Sequence, residues 1–134
     1  MKVNGACHCG NIRYEAEIDP EGVCICHCTD CQELTGTAYR VAVPVAAEHF
    51  KLLQGTPKTY LKTTADSGRK RVQAFCGDCG TPLYATDPEP GRPLGLRVGS
   101  IKQRAELAPK RQIWFRSALP WALNLGGIGH IDRE

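Results

Sequence analysis

Three tight groups hold all eight cysteines of this 134-residue chain: Cys7-His8-Cys9, Cys24-Ile25-Cys26-His27-Cys28-Thr29-Asp30-Cys31 and Cys76-Gly77-Asp78-Cys79. Thiolates two or three residues apart converge on one tetrahedral ion, whereas disulfide frameworks spread their partners along the chain. The groups therefore read as zinc ligands. Four ligands complete a structural site, while a catalytic one leaves a position for water or substrate. Cys7 and Cys9 need a distant pair, which Cys76 and Cys79 supply, and that site is expected to be structural. In the middle group an extended strand would put Cys24 and Cys28 about 13 Å apart, at roughly 3.3 Å per residue. Zn–S bonds of about 2.3 Å keep two ligand sulfurs within roughly 4 Å. Cys26 and Cys28 on one strand face, with Cys31 one turn later, converge without breaking the strand, leaving Cys24 as the odd thiol and an open position on the ion. A Cys₄ or Cys₃His shell closed by Cys24, His27 or His8 fits the same spacing and is the alternative. His27 points to the opposite strand face from its cysteine neighbours and is expected to pack rather than ligate.

The elements that must position these groups are short. Ile12, Tyr14, Ala16 and Ile18 alternate with Arg13, Glu15 and Glu17, which predicts a half-buried strand over 11–18. Asp19-Pro20-Glu21-Gly22 reads as a turn, and a strand over 23–28 is expected to return antiparallel, bringing its cysteines beside the first pair. Thr29 or Asp30 is expected to cap one helical turn through Leu34, stopped near Gly36. Further strands are predicted over 38–45, 50–53, 59–62, 70–75, 83–85 and 94–98. Pro44 marks an edge or bulge, and Gly77 and Gly80 give a tight knuckle the backbone freedom it needs. Trp114 and Trp121 are expected to be core or edge packing residues rather than ligand stackers. The fold class that follows is mainly β and antiparallel with one helical turn, as a single domain over 1–134 without internal repeat.

Composition narrows the function. With 42% apolar and 23% charged residues the chain is ordinary for a globular protein. No apolar run approaches the roughly 18 residues that cross a bilayer, and Met1 to Gly5 leaves no room for a secretory signal. A cytoplasmic setting with reduced thiols is the expectation, where clustered pairs are metal ligands more often than disulfides. The formal charge of +3 counts every cysteine as neutral; seven thiolates on two Zn²⁺ bring it to about zero. Basicity thus gives no ground for nucleic-acid binding, and Arg69-Lys70-Arg71 is the only dense basic run.

Gly5-Ala6-Cys7-His8-Cys9-Gly10-Asn11-Ile12-Arg13-Tyr14, Cys26-His27-Cys28-Thr29-Asp30-Cys31 and Phe75-Cys76-Gly77-Asp78-Cys79-Gly80-Thr81-Pro82-Leu83 resemble the three signature blocks of the glutathione-dependent formaldehyde-activating enzyme family, which also contains centromere protein V. Ile113-Trp114 and Pro120-Trp121 are similar to its carboxy-terminal pattern. After Trp121 the chain departs from the family, reading Ala122-Leu123-Asn124-Leu125-Gly126-Gly127 where an acidic residue and a Gly-Leu-Pro stretch are common. The resemblance implies an Mss4-like (β-tent) zinc fold, a structural zinc on Cys7, Cys9, Cys76 and Cys79, and a catalytic zinc on Cys26, Cys28 and Cys31.

The chemistry expected is carbon–sulfur lyase-type: glutathione, or another small thiol, becomes a thiolate in the open position and adds to formaldehyde or another small aldehyde. Three protein thiolates weaken zinc as a Lewis acid, which favours activating the nucleophile. Water, His27 and Asp30 are the proton donors to consider. Glutathione carries two carboxylates, so cations are expected near the groove, with Arg40, Lys51, Lys58, Arg69, Lys70 and Arg71 as candidates. The competing readings are a non-enzymatic zinc module or glutathione carrier that docks protein or nucleic acid, and a thiol-redox protein, which no thioredoxin-like βαβ pattern supports.

Overall fold

Alternation of buried and exposed side chains builds the first sheet. β1 (Lys2–Ala6) and β2 (Arg13–Glu17) pair antiparallel, with Val3 opposite Ala16 and Gly5 opposite Tyr14. Ile12, Tyr14, Ala16 and Ile18 are all buried, as their spacing predicts. The computed structural model describes residues 1–134. After β2 come β3 (Cys24–Cys26), helix α1 (Thr29–Thr35), β4 (Arg40–Val45), β5 (Phe50–Gln54), β6 (Lys58–Lys62), β7 (Arg71–Phe75), β8 (Pro82–Thr86), β9 (Leu94–Arg97) and β10 (Arg111–Ile113). One sheet has three strands in the order β1-β2-β5, the other seven in the order β10-β3-β4-β9-β8-β7-β6.

The architecture is mainly β, with two differences from the sequence-based expectation. β3 does not return against β2; it lies in the other sheet, between β4 and β10. The turn at Pro20–Gly22 is a 3₁₀ element that carries the chain across, capped by the Asp19 carboxylate accepting from the Glu21 N–H at 3.0 Å. The cysteines of β3 are therefore not delivered beside Cys7 and Cys9. β10 also runs parallel to β3, so the large sheet is mixed. Pro44 sits beyond the stretch of β4 that β3 covers, so its missing N–H breaks no ladder bond on that side.

The sheets enclose a core of Val3, Ile12, Tyr14, Val43, Leu83, Leu96, Ile101 and neighbours. Val43 and Val45 on β4 and Leu94 and Leu96 on β9 are buried. Alternation consequently sends Arg40, Ala42, Gly95 and Arg97 to the outer face, where Cys24 and Cys26 are also found in register with Ala42 and Arg40. Helix α1 packs against β4. Tyr14 spans the core, stacked near Phe50 at 5.3 Å, with its hydroxyl donating to Ser100 Oγ at 2.7 Å; Ser100 in turn donates to the Arg97 carbonyl. The Tyr14 ring lies directly over Gly5, where a Cβ would overlap the ring and the Ser100 carbonyl.

Gly5→Ala is accordingly expected to lower unfolding stability by about 2 kcal/mol, the range of an overpacked core. Gly99→Ala, which meets open space, is expected to be close to neutral. Denaturant titration of both variants checks the contrast.

Candidate functional site

Two knuckles bring four sulfurs together. In the first, Gly10 at φ 81° lets the chain turn after Cys9, its N–H donating to the Cys7 carbonyl at 3.1 Å, while the Ile12 N–H donates to Cys7 Sγ at 3.2 Å. The second repeats the design: Gly80 at φ 79° donates to the Cys76 carbonyl at 2.8 Å. Both turns need the left-handed backbone that glycine adopts without a steric cost. Thr81 links them, accepting from the His8 N–H at 2.9 Å and lying 3.2 Å from Cys79 Sγ, and Asn11 donates to Asp78 at 3.0 Å. The sulfurs of Cys7, Cys9, Cys76 and Cys79 all lie within 4.8 Å of one another. Cys7–Cys9 is 3.6 Å and Cys9–Cys76 is 3.8 Å, against the roughly 3.8 Å edge of a tetrahedron with 2.3 Å metal–sulfur bonds.

Cys26, Cys28 and Cys31 form a second group, again within 4.8 Å. Cys26 ends β3. Cys28 is the N-cap of α1, its Sγ accepting from the Cys31 N–H at 3.3 Å, so the cap is a cysteine rather than Thr29 or Asp30. The helix closes at Gly36, left-handed at φ 68°. Cys24 stays outside the group, two strand positions away between Ala42 and Arg111.

The electrostatics of both groups match a cation's needs. The Thr81 hydroxyl and N–H groups hold Cys79 down to about 5, while Cys9, despite help from the Asn11 N–H, is pushed up to about 12 by burial and the neighbouring thiols. Likewise the Cys26 thiol and, against burial, Arg40 bring Cys31 down to about 5, and Cys31 together with burial raises Cys26. Cys7 is held down as well, against its burial, by the Ile12 N–H and neighbouring thiols; each group thus ionises some of its thiols readily and resists ionisation of the rest, a resistance that a bound divalent ion removes. All seven sulfurs fit a soft-ligand metal such as zinc.

Exposure is uneven in the first group and even in the second: Cys7 and Cys76 are buried in the core and Cys9 is exposed, while Cys26, Cys28 and Cys31 are all half-buried. Cys28 borders a cleft of about 360 Å³, walled by Thr29 and Asp30 from α1, by Lys62, Thr64, Arg69 and Arg71, and by Ile113 and Trp114. A larger surface depression, lined by Lys2, Glu15, Glu17 and Lys51, lies on the small sheet and contains no cysteine. Within the cleft, Asp30 accepts from Thr64 at 2.8 Å and from Lys62 at 3.0 Å; burial opposes its charge, but these two contacts hold its carboxyl below the usual range.

Of the expected cations, Arg40 faces Cys31 and is buried. Arg69 and Arg71 line the cleft but share Asp87 with Arg92, at 2.7, 2.8 and 3.2 Å. Lys51 belongs to the small sheet, and Lys58 lies against Gly77 near the other knuckle. Lys62 and Arg97 carry no linear signal and are added by the fold. Burial, then Arg40, brings Arg97 down to about 9. His27 is buried, Nε2 on Gln112 Oε1 at 2.7 Å, its ring edge-on to Tyr39 and Phe115. It packs, as expected. The tryptophans are not in the core: Trp114 turns the chain out of β10 at φ 53° and is 42% exposed at the cleft, and Trp121 is 59% exposed. Short turns at 115–117 and 120–123 leave neither ring a core to enter.

Residues 2–117 match the model of a family described as glutathione-dependent formaldehyde-activating enzyme. The match ends before Pro120-Trp121. No curated protein matches. A Rhodobacter sphaeroides protein with a crystal structure shares the fold, at a TM-score of 0.62 and 18% identity, over 81% of this chain and 98% of its own. No helix is long and apolar enough to cross a membrane.

Asp87 supplies a pH test. Three guanidiniums, Arg69 first, hold its carboxyl far below the ordinary value near 3.9. A depressed folded-state pKa contributes stability that is complete above the unfolded value and fades as pH falls below it. Asp87→Asn is therefore expected to destabilise the protein at pH 7, and the gap to wild type is expected to narrow below about pH 4. Thermal unfolding of the pair across pH 3 to 7 measures it.

Proposed function

The chain belongs to the glutathione-dependent formaldehyde-activating enzyme family, and from that premise we propose that it joins glutathione, or a similar small thiol, to formaldehyde or another small aldehyde, as a carbon–sulfur lyase of the S-(hydroxymethyl)glutathione synthase kind. The observation that carries the reading is the difference in ligand number, four convergent sulfurs in one group against three in the other, with Cys28 of the three at a cleft. Cys7, Cys9, Cys76 and Cys79 would hold a structural zinc, and Cys26, Cys28 and Cys31 a second one with a position toward the cleft. When bound, that second ion supplies deprotonation of an incoming thiol at neutral pH.

The chain's own residues set the rest. Arg40 beside Cys31 offsets the negative charge that three thiolates carry beyond a divalent ion. The cleft admits both reactants from solvent. As the substrate sulfur bonds to the carbonyl carbon, the π pair moves to oxygen, which then takes a proton; thiol and aldehyde combine into a hydroxyalkyl thioether with no change in oxidation balance. Asp30 is a poor donor for that proton, since Lys62 and Thr64 keep it a carboxylate. His27 is bonded to Gln112 and does not line the cleft. Water in the open cleft is the donor that remains.

Purified protein is expected to contain about two zinc per chain, with Cys28→Ser keeping about one and Cys76→Ser losing the fold along with its metal. Wild type is expected to accelerate glutathione–formaldehyde adduct formation above the spontaneous rate, and Cys28→Ser to return it to that rate. A single zinc untouched by Cys28→Ser, or a rate equal to the background, refutes the proposal.

A further inference from the structure

Trp114 is the one non-glycine residue in the left-handed backbone region, at φ 53° and ψ 36°. A bulky side chain is crowded there, so the conformation persists only where neighbouring contacts impose it. Those contacts converge on His27, the residue between Cys26 and Cys28. On one side of Trp114, the Ile113 carbonyl accepts from the His27 N–H at 3.1 Å. On the other, the Phe115 ring lies edge-on to the His27 ring at 5.8 Å, and the Ser117 carbonyl is tied to the His27 carbonyl through a side chain of α1.

That side chain is Gln32. Its Nε2 donates to the His27 carbonyl at 2.8 Å and to the Ser117 carbonyl at 3.1 Å, so both amide protons are used. Two carbonyl oxygens have no attraction for one another, and a nitrogen with two protons is what joins them. Gln32 is itself fixed to the sulfur group, its backbone N–H donating to the Cys28 carbonyl at 3.0 Å. Ile113, Trp114 and Ser117 line the same cleft as Cys28. Residues 113–117 thus form a strap along the cleft, fastened at both ends to the turn that carries the sulfurs. Arg116 lies over the Trp114 ring, 5.7 Å from its centroid, and gives the exposed ring a further hold.

We propose that Gln32 is a positioning residue that clamps the 113–117 strap to the turn of Cys26 and Cys28, holding Trp114 as a fixed wall of the cleft. The inference rests on the reading of that cleft as the place where thiol and aldehyde meet. Gln32 does not line the cleft, so it acts through the strap and not on a reactant. Without the clamp Trp114 is free to leave its strained conformation, and the wall moves while the sulfurs keep their places.

Residue-resolved hydrogen exchange on the purified protein reads the clamp with no reactant present. The Ser117 and Ala118 N–H groups donate to the Trp114 and Phe115 carbonyls at 3.0 Å each, and outside the strap the Ile128 N–H makes the same kind of turn bond to Leu125 at 3.1 Å. In wild type the protection factors of Ser117 and Ala118 are expected to exceed that of Ile128 by at least about tenfold. Gln32→Glu keeps the side-chain shape but sets acceptors against both carbonyls, and Gln32→Met keeps the length without donors. Both variants are expected to lower Ser117 and Ala118 protection about tenfold, to leave the knuckle amides of Gly10 and Gly80 unchanged, and to retain the wild-type metal content. In the glutathione–formaldehyde assay they are expected to raise KM for the thiol about tenfold with kcat within about twofold. Gln32→Arg, which again offers several donors in one plane, is expected to restore part of both protection and KM.

Wild-type protection at Ser117 and Ala118 no greater than at Ile128 overturns the clamp whether or not the variants fold. So does protection that Gln32→Glu and Gln32→Met leave unchanged, or lower equally at Gly10 and Gly80. A loosened strap with an unaltered KM overturns the positioning role. A wild-type rate equal to the spontaneous one refutes the proposed function and any part for Gln32 in it, a failure distinct from that of the clamp, which exchange decides by itself.

Discussion

Sulfurs 3.6 to 3.8 Å apart in a region that burial has partly dried repel one another as soon as more than one is ionised, and the fold must either keep protons on them or seat a cation among them. The Cys7–Cys9 and Cys76–Cys79 knuckles face this constraint at the junction of the two sheets. One knuckle follows β1 and leads into β2; the other joins β7 to β8. Their backbone donors, the Ile12 N–H and the Thr81 hydroxyl among them, favour the charged form of selected sulfurs. An ion there ties residues far apart in sequence, and Cys7 and Cys76 join Ile12 and Leu83 in the same apolar cluster. Metal seating and core packing are therefore one event at this junction.

The second group meets the same repulsion differently. Its thiols sit on the outer face of the large sheet, away from the core, and its compensation comes from guanidiniums on neighbouring strands. Register decides which ones. Arg40 is opposite Cys26, and Arg97 is opposite Ala42 on the next strand. Asp87 absorbs the arginines farther along, so positive charge is left concentrated toward the sulfurs. Such a field favours anionic ligands in a cleft with low-dielectric walls.

Much of this was legible in the sequence because it is local. The knuckle spacings, the alternation from Ile12 to Ile18 and the helix stop at Gly36 depend on residues a few positions apart, and periodicity or glycine placement reveals them. What stayed hidden was the partner of each strand. The residues of β3 suit pairing with β2 as well as with β4 and β10, and only the 3₁₀ turn at Pro20–Gly22 and the completed sheets decide between them. Arg97 reads as an ordinary outward residue of an alternating strand, and its environment exists only once Gln73 and Arg40 arrive from elsewhere. Trp114 misleads for a related reason: its size favours burial, but its positive φ turns the chain away from β10.

The parallel strand β10 sets an order on assembly. Cys26 lies between Arg40 and Ile113 in the sheet, and the His27 N–H is satisfied by the Ile113 carbonyl at 3.1 Å. On a ribosome the knuckle cysteines have all been added by residue 79, whereas the strand that flanks β3 begins only at Arg111. A nascent chain can thus complete its first sulfur group before the cleft centre gains its outer wall. The polypeptide is buttressed before its reactive sulfurs acquire their surroundings.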